Sequence, residues 1–140
     1  GLDKLRGSSM SLQQEVFRAC IFLAEQMHLP LVVHAVKCTE ELFRIHKELK
    51  PQMPWIIHGF RGRKEVAEQY LKRGFYLSFG EHFHDEALRS TPLERLLLET
   101  DESRLSMEEI CRKAASVYGL PAEILAARIT SNAQKVLFLQ

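Results

Sequence analysis

Four polar residues stand where apolar runs stop. His34 follows Leu31-Val32-Val33 and His58 follows Trp55-Ile56-Ile57, while Ser78 lies near the end of the run from Phe75 to Phe79. Asp101 comes just past Leu96-Leu97-Leu98-Glu99-Thr100. Imidazole nitrogens and a carboxylate oxygen are donors that suit Zn²⁺, Mn²⁺ or Fe²⁺, with the oxygen-preferring Mg²⁺ used in related chemistry. Three ligands leave room for a water whose pKa the ion lowers, with Asp101 taking its proton. That is the equipment of a hydrolase. Each residue also has a structural reading: a histidine bonded at a strand end, or an aspartate closing a turn. Recurrence at equivalent places favours the shared site, because the C-terminal ends of parallel strands gather on one face. Glu99 reads as a partner for Arg95 or for a neighbouring strand.

Other candidates are weaker. Arg61, Arg63 and Lys64, just after His58, are placed to meet a phosphate near a helix start, or else to solvate a loop. The segment lacks the ending and glycine spacing of a phosphate loop. His82 and His84 form an HxH pair with Glu81 and Asp85 beside it, but they follow Gly80 in a loop. His28 sits at an expected helix end and His46 on an expected exposed helix face. Cys38 lies four residues after His34, with nothing to activate it as a nucleophile. Ser78 is in no GxSxG elbow, and the chain carries no GxGxxG fingerprint.

The elements that must position these residues alternate. Leu12, Val16, Ala19, Cys20, Leu23, Ala24 and Met27 recur at helical spacing, and Pro30 ends that helix. The extended run 31–34 follows, then a helix from Thr39 through Leu49, closed by Pro51 and Pro54 ahead of the run 55–58. A helix from Lys64, with Gly74 beyond its end, precedes the strand 75–79. A short helix over 83–90 precedes the strand 95–99. Ser106 and Glu109 have capping-box spacing before a helix that Gly119 ends. The stretches 122–129 and 131–139 read as two final helices. Strand-like runs thus recur about every 20 to 24 residues, and they are continuously apolar, the pattern of parallel strands covered on both faces. The segment 1–10, with its glycines and serines, reads as a flexible loop or an expression remnant.

The length of 140 residues suits one ordinary domain. Nineteen basic residues nearly cancel eighteen acidic ones, and no basic block resembles a nucleic-acid tail. Three widely spaced cysteines, Cys20, Cys38 and Cys111, make neither a disulfide framework nor a short-spaced zinc set, and read as reduced thiols of a cytoplasmic protein. No apolar run approaches the ~20 residues that cross a bilayer. The N-terminal residues lack the apolar core of a signal peptide.

The ordered motifs GLD at 1–3, LPLVVHA at 29–35, IIHGFRG at 56–62, YLSFGE at 76–81, PLERLLLETD at 92–101 and the terminal ITSNAQKVLFL span nearly the whole chain. Together they resemble the TatD-like metal-dependent DNase family of metallo-hydrolase barrels. The resemblance implies an α/β fold, the C-terminal half of a TIM-like (β/α)8 barrel. Residues 1–140 would form one partial domain of about four parallel strands with covering helices. It implies that His34 and His58 take the two later histidine-ligand positions. Asp101 takes the last-strand carboxylate position, both ligand and catalytic group, and Glu99 supports it without being a ligand. The cofactor implied is a divalent metal (Mg²⁺, Mn²⁺ or Zn²⁺), as one ion or two.

Departures from the family pattern carry expectations too. The early HxH pair and a bridging glutamate fall outside this chain, which leaves open whether the chain alone catalyses. Val36 stands where the family commonly has arginine, so Lys37 joins Arg61 and Arg63 as a candidate phosphate contact. The loop after ETD is short, with Arg104 contributing to the cleft. The implied function is hydrolysis of DNA phosphodiesters through metal-activated water. The alternatives are amide or ester hydrolysis at the same centre, or a non-catalytic half-barrel scaffold or interaction protein. DNA is the expected substrate, and no membrane is involved. Self-association or a separate N-terminal half is expected to cover the open strand edges.

Overall fold

The computed structural model describes residues 1–138, so Leu139, the last residue of the expected terminal helix, lies outside the described residues. The chain divides into two compact units, Gly1–Ile57 and His58–Gln140.

The first unit holds β1 (Leu2–Asp3), α1 (Met10–Met27), β2 (Leu31–Val33), β3 (Ala35–Val36), α2 (Thr39–Leu49) and β4 (Trp55–Ile57). Its strands pair in parallel: Leu2 with Ala35 and Asp3 with Val36, and Leu31, Val32 and Val33 with Trp55, Ile56 and Ile57. The first residues are therefore structured. Leu2 is almost fully buried, and the 3–8 segment is clamped by Gln13. The Gln13 carboxamide accepts from Asp3 N at 2.7 Å and donates to the carbonyls of Asp3, Arg6 and Ser8. A two-residue strand is too short to show any period, which is why this segment read as a loop.

In α1 the period predicts the helix, but the burial lies on another face. Ser9 caps it, its hydroxyl accepting from Leu12 N. Phe17, Ile21 and Ala24 are the buried residues, whereas Leu12, Val16, Leu23 and Met27 are exposed. Polar neighbours of the buried face fix this choice. Arg18 makes a two-pronged pair with Glu48, Gln14 accepts from Arg44, and Glu25 accepts from the backbone of Gln52 and Met53. Phe17 then meets Trp55 edge-on, with ring centroids 5.3 Å apart. His46, expected on an exposed helix face, is half-buried and meets Trp55 edge-on at 5.0 Å.

The second unit holds α3 (Lys64–Lys72), β5 (Tyr76–Phe79), α4 (Asp85–Ser90), β6 (Leu96–Leu98), α5 (Met107–Tyr118) and α6 (Ala122–Phe138). β5 and β6 run parallel, with Ser78 opposite Leu97 and Phe79 opposite Leu98. Leu77, Phe79 and Leu96 are fully buried between covering helices, as continuously apolar strands require. The expected capping box opens α5: Ser106 Oγ accepts from Glu109 N, and Glu109 accepts from Ser106 N. The two final helices expected over 122–139 are one continuous helix in the described residues. No glycine or proline interrupts them, Thr130 bonds back to Ala126 O, and Asn132 turns its amide away from its own helix. That amide donates to Leu93 O at 2.5 Å and Leu96 O at 2.8 Å, tying α6 to the start of β6.

Candidate metal centre

The second unit gathers three of its ligand-type side chains. His58 follows the last residue of β4, and Gly59 turns the chain at once with φ +58°, a conformation that strains other residues. A Cβ at Gly59 would stand 3.5 Å from Glu99 Oε1, so the turn also runs close beside that carboxylate. The loop is then fixed to β5, because Phe60 N donates to Ser78 O at 2.9 Å. On the other side of β5, Glu99 N donates to Phe79 O at 3.0 Å, continuing the β6 ladder past Leu98. The carboxylate of Glu99 lies 3.2 Å from His58 Nδ1 through Oε1, and accepts from the Ser78 hydroxyl through Oε2.

Asp101 completes the group. Its φ of 45° places it in the left-handed region, which aspartate tolerates better than most residues. Ser103 N donates to Thr100 O at 2.8 Å and closes the turn. One donor atom from each of His58, Glu99 and Asp101 lies within 4.8 Å of the others. One nitrogen and two carboxylate oxygens so close together fit a divalent cation, and the mix with imidazole suits Zn²⁺ or Mn²⁺. His58 and Glu99 are part-buried and Asp101 is exposed, so the group opens to solvent. Glu99 is the residue that sequence reasoning set aside. Glu99 directly follows β6 and Asp101 lies in the left-handed turn just beyond it, which brings the two carboxylates together. Arg95 does not pair with it, lying over the Tyr76 ring and donating to Gly74 O.

His34 belongs to the first unit, where its Nε2 is 3.0 Å from Asp3 Oδ2. Asp3 Oδ1 accepts from Leu5 N and Arg6 N. The His34 hydrogen bond, followed by that of Leu5, holds the Asp3 carboxyl below the usual carboxylate range. Asp3 was absent from the candidates read in sequence, since nothing in a two-residue strand marks it. Nearby, Lys37 sits at φ 51° between β3 and α2. Cys38 is buried, donates to Leu2 O, and has its thiol pushed up to about 11 chiefly by burial, which makes it inert rather than nucleophilic.

The remaining candidates spread over the second unit. Arg61 and Arg63 are exposed on the segment after His58, and Arg63 is the residue preceding α3. His82 pairs with Glu81, whose other oxygen takes the Ser103 hydroxyl, and His84 precedes α4. Neither histidine belongs to the three-residue group among the described residues.

The sequence model of the TatD related DNase family matches residues 1–138. The chain belongs to the TatD family. It is 38% identical over 102 residues to a metal-dependent hydrolase of Bacillus subtilis, YabD, covering 67% of this chain and 40% of that one. To the 3'-5' ssDNA/RNA exonuclease TatD of Pantoea ananatis it is 30% identical over 166 aligned positions, covering 99% of this chain and 64% of the relative. The chain thus spans less than two thirds of the length of either relative. The structure superposes on a TatD family hydrolase of Entamoeba histolytica with a TM-score of 0.88 at 19% identity, covering all of this chain and 62% of the other. At that identity the likeness shows the fold. It is the α/β architecture of parallel strands and covering helices expected of these metallo-hydrolases, and TatD relatives are named as metal-dependent enzymes.

Proposed function

We propose that this chain carries part of the metal centre of a phosphodiester hydrolase acting on DNA. The observation that carries the reading is the clustering of donor atoms from His58, Glu99 and Asp101 within 4.8 Å of one another, with His58 and Asp101 as the proposed ligands and Glu99 bonded to the imidazole beside them. Their types support a transition metal ahead of Mg²⁺. The names of TatD relatives, a deoxyribonuclease in Schizosaccharomyces pombe and the Pantoea exonuclease, support a nucleic-acid substrate.

A divalent ion supplies Lewis-acid polarisation of a phosphoryl oxygen and lowers the pKa of water. His58 and Asp101 would hold such an ion by nitrogen and oxygen. Asp101, exposed at its turn, takes a proton from the attacking water on a carboxylate oxygen. Arg61 and Arg63 meet phosphate oxygens, contacts that position a strand without reading its bases. In the first unit, His34 and Lys37 are a further candidate ligand and a further candidate phosphate contact. The three free thiols suit a cytoplasmic setting.

The test is calorimetric titration of metal-stripped protein with Mn²⁺, Zn²⁺ and Mg²⁺, alongside cleavage of end-labelled single-stranded DNA. Asp101→Ala is expected to weaken Mn²⁺ binding by more than the roughly 10–100-fold that loss of an outer partner costs. Cleavage should be lost with it. Wild-type binding of no ion, or an Asp101→Ala variant that binds and cleaves as before, overturns the reading.

A further inference from the structure

We infer that Ser78 and Glu99 form an orienting relay for His58, with Glu99 acting on the ion through the imidazole ring and not as its ligand. The inference rests on the metal-centre reading above and assigns the work within it. Ser78 is only 5% exposed on β5, between the fully buried Leu77 and Phe79. An alanine would fill that place in an apolar strand, whereas a hydroxyl there needs a partner. It has one in Glu99, since Ser78 Oγ donates to Oε2. The same serine also accepts Phe60 N on its backbone carbonyl, so one residue fixes both the carboxylate and the loop that follows His58.

Each oxygen of Glu99 is thereby engaged: Oε2 by the hydroxyl and Oε1 by the imidazole at 3.2 Å from Nδ1. An ionised carboxylate only accepts, so Nδ1 is the nitrogen that carries the hydrogen. A neutral ring with hydrogen on Nδ1 bears its lone pair on Nε2. A carboxylate bonded to the far nitrogen of a ligating histidine fixes the tautomer and orientation of the ring and raises its basicity. Ser78 extends this by one step, making it a positioning residue that touches neither ion nor substrate. In this assignment Asp101, two residues on and exposed, is the carboxylate of this unit that binds the ion, and Glu99 spends its bonds on the ring and the serine.

The experiment reads the ring directly. Metal-free protein with ¹⁵N-labelled histidine is examined by long-range ¹H–¹⁵N spectra at about pH 8.5, above the ordinary imidazole range. Wild type is expected to show His58 with hydrogen on Nδ1. Ser78→Ala and Glu99→Gln are expected to give a mixture of tautomers, and Ser78→Thr, which keeps the hydroxyl, to restore the single form. In Mn²⁺ titrations Ser78→Ala should lose about tenfold in affinity and Glu99→Gln about 10–100-fold, both at unchanged stoichiometry. If Ser78→Ala does not fold, Ser78→Cys makes the same comparison, because its thiol is a weak donor. The relay is overturned if the serine variant keeps both the tautomer and the affinity of wild type. It is equally overturned if Glu99→Gln loses as much affinity as Asp101→Ala. A wild-type protein that binds no Mn²⁺ defeats the metal-centre reading instead, and the ring spectra still decide the relay.

Discussion

Each unit presents a histidine against a carboxylate, and the two pairs are built differently. In the first unit Asp3 bonds the backbone of the residues just after it, and the Gln13 amide clamps the surrounding segment to α1. Asp3 takes two bonds from its own turn besides the one to His34, 31 positions away. In the second unit Glu99 stands at the end of a buried strand, gripped by Ser78 from 21 positions away and reaching His58 from 41 away. Local closure costs little chain entropy and tolerates loosening, whereas a group held by long-range bonds depends on the whole packing beneath it. An imidazole beside a carboxylate thus sits in a tied-down turn in one unit and in a candidate metal centre in the other.

The largest effect is expected where the long-range frame is cut. Asn132→Ala removes both bonds of its amide, to the part-buried carbonyl of Leu93 and the buried one of Leu96, and should destabilise by about 2–3 kcal/mol. Gln13→Ala, its counterpart in the first unit, should cost about 1 kcal/mol and show mainly as faster amide exchange over residues 3–8. Equal losses in urea melts would erase the contrast. A smaller effect concerns acid. Because the Asp3 carboxyl is held below its usual range, its stabilising contribution is present above the ordinary carboxylate pKa and fades as pH falls through the lowered value. Melting between roughly pH 2 and 5 should show Asp3→Asn with a flatter acid limb than wild type. The smallest test sharpens the picture of the first unit: at pH 8, a thiol reagent should modify the exposed Cys20 and spare Cys38 until the protein unfolds.

Much of this was legible in the residues. Thr39–Leu49, the Ser106–Glu109 box and the three apolar runs ending at His34, His58 and Glu99 have the periods and caps that physics reads directly. What escaped was decided by contacts between distant residues. In α1 both faces are apolar, and period alone could not choose Phe17 and Ile21 over Val16 and Leu23. Glu48 and the 52–53 backbone made the choice, through Arg18 and Glu25. Asp3 escaped because its strand has two residues. Glu99 reads in sequence as a support for Asp101, but its partners Ser78 and His58, 21 and 41 positions away, come into view only once β5 and β6 are paired.

The left-handed turn at Asp101 has a consequence for how this family member can drift. Asparagine and glycine are the residues most at ease with φ near 45°, and each lies a single base change from an aspartate codon. The cheapest mutations at this position therefore remove the negative charge and leave the backbone content. A lineage can extinguish this carboxylate without unfolding anything, so an intact fold in a descendant sequence is no testimony that the charge at this position survives.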